Sequence, residues 1–178
     1  GIDDPFEEVD RLSAGEQAVL KPILDLIEQS GLRGKVDFLN ISSQTELAAT
    51  YRYFAARSSV FVLTAIYEPF GLAPIEAAAC GLACVATKNG GPSEIFADGS
   101  GILVDPFDHG DIAEGMLKAV NTCDDLSSRS TARVRQKYTW DQTAAAYLEV
   151  IQQGRPTSQD VELPDNLDAG QRIIDYLA

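Results

Sequence analysis

Histidine, methionine and tryptophan each occur once in the 178 residues, and cysteine three times. These scarcities narrow the chemistry at the outset. A lone His109 cannot build a histidine-rich metal centre, and Cys80, Cys84 and Cys123 are odd in number and lack the clustered pairs that a zinc site uses. Free cysteine is most often a small buried hydrophobe, so structural roles are expected for all three. Cations are also few, with 14 Lys and Arg against 27 Asp and Glu, a formal charge of −13. Such a chain lacks the positive field that draws a phosphate backbone or an anionic lipid surface, which argues against nucleic-acid and membrane binding as its task. Small anions stay open, because backbone N–H groups hold them without basic side chains. The longest apolar run, Val60 to Ile66 with Thr64 inside it, is far short of the roughly 20 residues of a bilayer crossing, and no charged-then-apolar leader opens the sequence. The expectation is a soluble, cytoplasmic protein that binds no metal.

What is present is an ordinary globular composition, 45% hydrophobic, at a length that suits one domain. The acidic run Asp3, Asp4, Glu7, Glu8 and Asp10 repels itself and predicts a solvated lead-in rather than packed structure. Ser13 with Glu16 forms a capping box, after which Val19, Leu20, Ile23, Leu24 and Ile27 recur at helical spacing until Gly31. Residues 35–41 read as a strand. Ser43 with Glu46 forms a second capping box, opening a helix whose apolar side includes Leu47, Tyr51 and Phe54.

From Val60 to Leu63 the chain is apolar without alternation, the pattern of a strand covered by helices on both faces and hence of a parallel sheet. A helix is predicted from Leu72 to Gly81, then a buried strand from Ala83 to Thr87. A loop follows at Asn89, Gly90, Gly91 and Pro92, with Pro92 in the first turn of a short helix to Phe96. Ile102 to Val104 is a short strand, and Asp108 caps a helix carrying Ile112, Met116, Leu117 and Val120. Helices over 125–137 and 140–152 follow, the second opened by Thr139 with Gln142 in capping-box spacing. Residues 154–168 read as a linker and 169–177 as a short helix, so the chain divides into a domain at 1–153 and a tail at 154–178. Strands alternating with helices predict an α/β fold, a doubly wound Rossmann-like parallel sheet with helices on both faces. Ligands bind such sheets beyond the carboxyl ends of the strands.

At such an end lies Tyr67-Glu68-Pro69-Phe70-Gly71-Leu72-Ala73-Pro74-Ile75-Glu76. Glu68 falls on the loop and Glu76 about one turn into the helix, so both can face one cleft. The N–H groups near Phe70, Gly71 and Leu72 point out of the helix start with the positive end of its dipole, and Gly71 lets a ligand approach the backbone. A diphosphate needs donors and positive potential, while a sugar needs acceptors for its hydroxyls, and this loop supplies both. The plainer reading makes the two glutamates helix-start carboxylates that balance the dipole, with Pro and Gly shaping a turn.

The longer string YEPFGLAPIEAAACGLACVATKNGGPSEI, followed by GILVDPFD, resembles the donor-domain signature of retaining glycosyltransferases built from two Rossmann-like domains (GT-B). Within that group it most resembles the branch that makes sucrose 6-phosphate from UDP-glucose and fructose 6-phosphate. The resemblance covers residues 31–152 and centres on the E-x7-E spacing of Glu68 and Glu76. It implies that Glu76 accepts hydrogen bonds from the ribose hydroxyls of a nucleotide sugar. Glu68 would hold hexose hydroxyls next to the anomeric carbon, as the catalytic residue, and the Phe70, Gly71 and Leu72 backbone would meet sugar and diphosphate. It implies no cofactor and no metal. Leu39, Asn40 and Ile41 fall where relatives place the nucleotide base. Lys88, Gly90 and Gly91, with Glu94 beyond, border the same cleft, although a turn needing positive φ explains the glycines equally well; Lys88 is within reach of a phosphate there, a solvated charge being its more ordinary reading.

Two departures follow. No acceptor-binding amino-terminal domain and no opening strand of the donor domain are recognisable, and none of Arg11, Lys21, Arg33 or Lys35 matches the family's diphosphate-binding Arg and Lys. The chain alone is therefore expected to be nearly inactive, to reach its sugar-phosphate acceptor through the missing domain, and to self-associate through an unpaired sheet edge. A sucrose synthase or another hexosyltransferase donor domain, or a non-catalytic nucleotide-binding module, are the alternative readings.

Overall fold

The computed structural model describes residues 4–153. One compact unit runs to Val134 and a second begins at Arg135. The expected boundary at 153/154 coincides with the end of the described residues, and the linker and terminal helix expected beyond it lie outside them.

The first unit opens with α1 (Pro5–Glu8), a 3-10 turn (Val9–Arg11) and α2 (Ala14–Gln29). This corrects the expectation of an unpacked acidic lead-in. Asp4 caps α1 by accepting from Phe6 N, and three further acids are paired: Glu8 with Arg11, Asp10 with Lys21 and Glu7 with Arg33. Phe6 packs edge-on to Phe38 with the Arg33 guanidinium over its ring. Charge repulsion is thus relieved by cations distant in sequence, which a local charge count does not see. The Ser13 box forms in full, and the Ser13 hydroxyl, then its N–H, hold the Glu16 carboxyl below its usual range.

The strand expected at 35–41 does not form. The segment makes a single bridge, between Arg33 and Val36. Its alternation suits a half-buried strand, but a strand exists only where a neighbour accepts its ladder, and among the described residues none does. Helix α3 (Gln44–Ala55) then starts on a modified cap: Ser43 Oγ accepts from Glu46 N, while the Glu46 carboxylate reaches past Ser43 to the N–H and hydroxyl of Ser42. Leu47 and Tyr51 are half-buried, whereas Phe54 is exposed.

Three strands form one parallel sheet in the order β1 (Val60–Leu63), β2 (Ala83–Thr87), β3 (Ile102–Val104). They are connected through α4 (Leu72–Ala79) and α5 (Gly91–Ile95). Successive residues of a strand point to opposite faces, and both faces are covered. Val60, Val62, Ala83, Val85, Ile102 and Val104 pack with Ala119, Cys123 and Leu126 of α6 (His109–Asn121) and α7 (Cys123–Lys137). On the other face Phe61 meets Tyr51 of α3, and the Cys84 thiol points at the Pro74 carbonyl of α4. Burial pushes that thiol up to about 12. Only β2 is buried throughout. β1 is half-buried, a correction to its reading as a covered strand, because it lies at the sheet edge.

Helix α6 shows which of its faces the sheet covers. Its buried side is Gly115 and Ala119 with Ile112 partly covered, while Met116, Leu117 and Val120 face solvent. A Cβ on Gly115 would stand 2.5 Å from Val104 Cγ1. Small residues let the helix sit close on the sheet, and the larger apolar residues are thereby turned outward. Helix α8 (Trp140–Gln153), in the second unit, opens with the Thr139 hydroxyl accepting from Gln142 N.

Candidate functional site

Because the three strands are parallel, the loops that leave them, at 64–71, 88–90 and 105–108, meet along one edge of the sheet. They are joined there by hydrogen bonds. Glu68 N–H donates to the Asn89 carbonyl (3.1 Å), Gly91 N–H donates to the Glu68 carbonyl (2.9 Å), and Lys88 N–H donates to the Val104 carbonyl (2.9 Å). Glu68 and Gly90 pair as an isolated parallel bridge. The glycines are required by this closeness: a Cβ on Gly90, whose φ is +96°, would overlap the Glu68 carbonyl, and one on Gly91 would overlap that of Phe70. The positive-φ turn expected of both glycines is found at Gly90 alone, whereas Gly91 opens α5, and what both share is the close contact with the glutamate loop.

Gly71 occupies the N-cap of α4 with φ +102° and has no side chain to cap the helix. A Cβ there would stand 2.8 Å from Ile95 Cδ1, so the space over its Cα is filled by protein. The approach to a ligand thus falls to the N–H groups rather than to that face. Two of those groups are held by Glu68 itself, whose Oε1 accepts from Gly71 N (2.9 Å) and Phe70 N (3.3 Å). The carboxylate lies where the helix dipole favours negative charge. The feature expected to cradle an anion is therefore occupied, in this conformation, by the protein's own acid.

Helix α4 buries Pro74, Ile75, Ala77 and Ala78, leaving Leu72, Ala73, Glu76 and Cys80 on its outward stripe. Leu72 and Glu76 are four residues apart and share a face. Glu76 is half-exposed, and beside it burial, then this carboxylate, push the Tyr51 phenol above its usual range. The rim is apolar and open: Ile66, Tyr67, Phe70 (57% exposed) and Leu72 (62%) all face solvent. The β1–α4 junction is thus uncovered, with both glutamates partly accessible.

Other candidates sit elsewhere or are engaged. Leu39 lines a shallow hollow with Ala49, Thr50, Tyr53 and Phe54 along α3, and Asn40 and Ile41 continue the irregular stretch before that helix. Lys88 is neither a free phosphate ligand nor a lone solvated charge. Its Nζ lies 2.7 Å from Asp105 Oδ2, a hydrogen bond that raises the lysine above its usual range and lowers the aspartate below its own. His109 is the first residue of α6, behind the Asp108 cap. Sequence reasoning passed over Asn89 and Thr87, which tie the glutamate loop to β2. The signal was present as a polar residue opening the Asn-Gly-Gly turn. Among the described residues no group of three or more His, Cys, Asp or Glu is placed to hold a metal ion, and no helix is long and apolar enough to cross a membrane.

Residues 7–136 match the family described as glycosyl transferases group 1. The chain belongs to that family. As a group 1 glycosyltransferase chain it is 43% identical over 141 residues to a probable sucrose-phosphate synthase of Thermosipho melanesiensis. That match takes in 79% of this chain and 31% of the relative. Against the sucrose-phosphate synthase of Zea mays the identity is 41% over 146 residues, 80% of this chain and 14% of the relative. The chain therefore spans a third or less of the length of these relatives. Among solved structures, the sucrose-phosphate synthase of Thermosynechococcus elongatus superposes with a TM-score of 0.65 at 27% identity, over 86% of this chain and 37% of that one. Anabaena Alr3699/HepE, solved in complex with UDP, superposes with a TM-score of 0.66 at 26% identity, over 79% and 38%. The fold is that of GT-B glycosyltransferases, a parallel α/β sheet with helices on both faces.

Proposed function

We propose that this chain is the donor-sugar-binding part of a retaining glycosyltransferase that transfers glucose from UDP-glucose to fructose 6-phosphate, giving sucrose 6-phosphate and UDP. The observation that carries this reading is the uncovered β1–α4 junction, which presents two half-exposed glutamates and the start of a helix within one stretch of ten residues. Relatives named sucrose-phosphate synthase and a structural neighbour solved with UDP support it.

In this reading Glu76 accepts hydrogen bonds from the ribose hydroxyls and Glu68 from hexose hydroxyls beside the anomeric carbon, since an ionised carboxylate takes two donors at once. The N–H groups of Phe70, Gly71 and Leu72 face the diphosphate and stabilise the negative charge that grows on it as the bond to the sugar breaks. The acceptor hydroxyl forms the new bond on the side the diphosphate leaves, and its proton passes to the departing diphosphate oxygen. Losing one preorganised donor of this kind costs about 3–4 kcal/mol in the transition state. The scheme uses no cofactor. The chain by itself is proposed to turn over no sugar at an enzymatic rate, because none of Arg11, Lys21, Arg33 or Lys35 matches the diphosphate-binding Arg and Lys that the resemblance implies and the chain spans a third or less of these relatives. In this scheme the acceptor is held by parts of the longer family proteins outside this sequence.

Calorimetric titration with UDP tests the assignment: Glu76→Ala is expected to weaken binding by at least about tenfold, as for a lost hydrogen bond to a charged group. Retained affinity would overturn the ribose role. Sensitive product detection with UDP-glucose and fructose 6-phosphate tests the second part, and turnover at an ordinary enzyme rate would refute it.

A further inference from the structure

We infer that the turn from Thr87 to Gly91, through Asn89, is the positioning element for Glu68, and that it sets recognition of the hexose rather than of the nucleotide. The inference rests on the reading of Glu68 as the residue that holds hexose hydroxyls.

Both backbone groups of Glu68 are taken by this turn: its N–H by the Asn89 carbonyl at 3.1 Å and its carbonyl by Gly91 N–H at 2.9 Å. The Asn89 side chain reaches further back, its Nδ2 donating to the Ile66 carbonyl at 2.9 Å, so the loop is gripped on either side of Tyr67. Asn89 is itself anchored, its N–H donating to Thr87 Oγ1 at 3.2 Å. Thr87 ends the fully buried central strand and has no exposed surface. A continuous chain of hydrogen bonds thus runs from the middle of the sheet to the main chain of Glu68. Gly90 and Gly91 permit it, because a Cβ at either position would overlap the loop backbone.

The consequence is a division of freedom within one residue. The Glu68 main chain is fixed to β2, while its carboxylate, resting on the Phe70 and Gly71 N–H groups, turns about its own side-chain torsions. A rotation away from those amides delivers an acceptor to a hydroxyl and at the same time frees two donors for the diphosphate. For that exchange to place the oxygen accurately, the stem must not move, and Asn89 is what keeps it still. Asn89 is a positioning residue that need not touch the sugar. Loosening it releases Glu68 while leaving Glu76, on the separately packed α4, in place.

Two readouts on the full 178-residue chain test this. Without ligand, the Phe70 and Gly71 amide resonances are compared between the native protein and Glu68→Ala, the difference marking the lost carboxylate contact. Asn89→Ala and Asn89→Asp, neither of which has the amide donor, are expected to move both resonances most of the way to their Glu68→Ala positions with the remaining spectrum intact. Native positions in both variants overturn the inference. With ligand, the ratio of UDP-glucose affinity to UDP affinity is measured by calorimetry. Asn89→Ala, which removes the bond to the Ile66 carbonyl and keeps the main-chain bonds to Glu68, is expected to lower the ratio part of the way toward that of Glu68→Ala while UDP binding stays within about twofold, well under one hydrogen bond. Equal loss for both ligands indicates a general structural role and overturns it. If Glu68→Ala leaves the ratio unchanged, the hexose reading of Glu68 fails instead, and the amide positions still decide whether Asn89 holds the loop. Should Asn89→Ala not fold, Thr87→Val removes the hydroxyl anchor at nearly constant shape and is expected to change both readouts in the same direction.

Discussion

Two helices begin at the same edge of the sheet, α4 after β1 and α6 after β3, and their openings are finished in opposite ways. At α6 the polar groups are used up locally: Asp108 accepts from Gly110 N (2.8 Å) and Asp111 N (3.2 Å), Asp105 N donates to Asp111 Oδ2 (2.6 Å), and Lys88 closes on Asp105. At α4 the N-cap is a glycine without a side chain, and the acceptor comes from Glu68 on a rotatable stem, amid exposed Phe70 and Leu72. Both ends carry the same kind of dipole. What separates them is whether a short side chain has taken the field permanently or a longer one can let it go. The first arrangement serves stability, and the second, under the proposed function, leaves the helix start for the donor sugar.

Mutations that break this contrast are expected to act very unequally. Gly91→Ala has the largest effect, since its Cβ would overlap the Phe70 main chain, itself tied into the Glu68 loop. A loss of about 3 kcal/mol or more is expected, seen as a melting temperature lower by roughly 6–12 °C and as abolished UDP binding. Near-native melting would show that the two loops are not locked together. Asp108→Ala, at the closed opening, is expected to cost about 1 kcal/mol and roughly 2–4 °C, with UDP affinity unchanged. A parallel loss of nucleotide binding would erase the distinction drawn between the two ends.

The smallest effect is a pH dependence. The Lys88 hydrogen bond lowers Asp105, so Asp105 contributes stability above its unfolded value of about 3.9, lost as pH falls through its lower native value. The same bond raises Lys88, whose contribution is complete below its unfolded value of about 10.4 and is lost as pH rises through its higher native value. The pair therefore works between those limits, and Lys88→Met should flatten the acid limb of a melting-temperature profile slightly. An unchanged limb would mean that the ion pair adds nothing to the closed end.

Much of the scaffold was legible because its signals are local. Ala83 to Thr87 and Ile102 to Val104 are strands within the bounds their apolar runs predict, and Ser13 with Glu16 closes a reciprocal cap because both partners lie within one turn. The failures share a cause. Residues 35–41 have the alternation of a strand but no neighbouring strand among the described residues, the acids Glu7 and Asp10 are quieted by Arg33 and Lys21 from later in the chain, and which face of α6 is buried, Gly115 and Ala119, is set by the sheet beneath it. Each depends on a partner that periodicity does not name. At the candidate site the same division holds: the spacing of Glu68 and Glu76 is visible in the letters, whereas the Asn89 tie and the Lys88–Asp105 pair are contacts across 21 and 17 positions of chain, from 68 to 89 and 88 to 105.

From the amino-acid order alone came the α/β class, the strand and helix periods, and a ten-residue segment holding two acids around a helix start, because these follow from backbone sterics and nearest-neighbour hydrogen bonding. Tertiary structure decided which strand is central, which side of α6 is buried, and that the Glu68 carboxylate rests on its own amides while its main chain is fixed to β2. Those outcomes depend on which distant groups meet in space. A parallel sheet brings the three strand-end loops to one edge, where glycines without a Cβ let two of them touch.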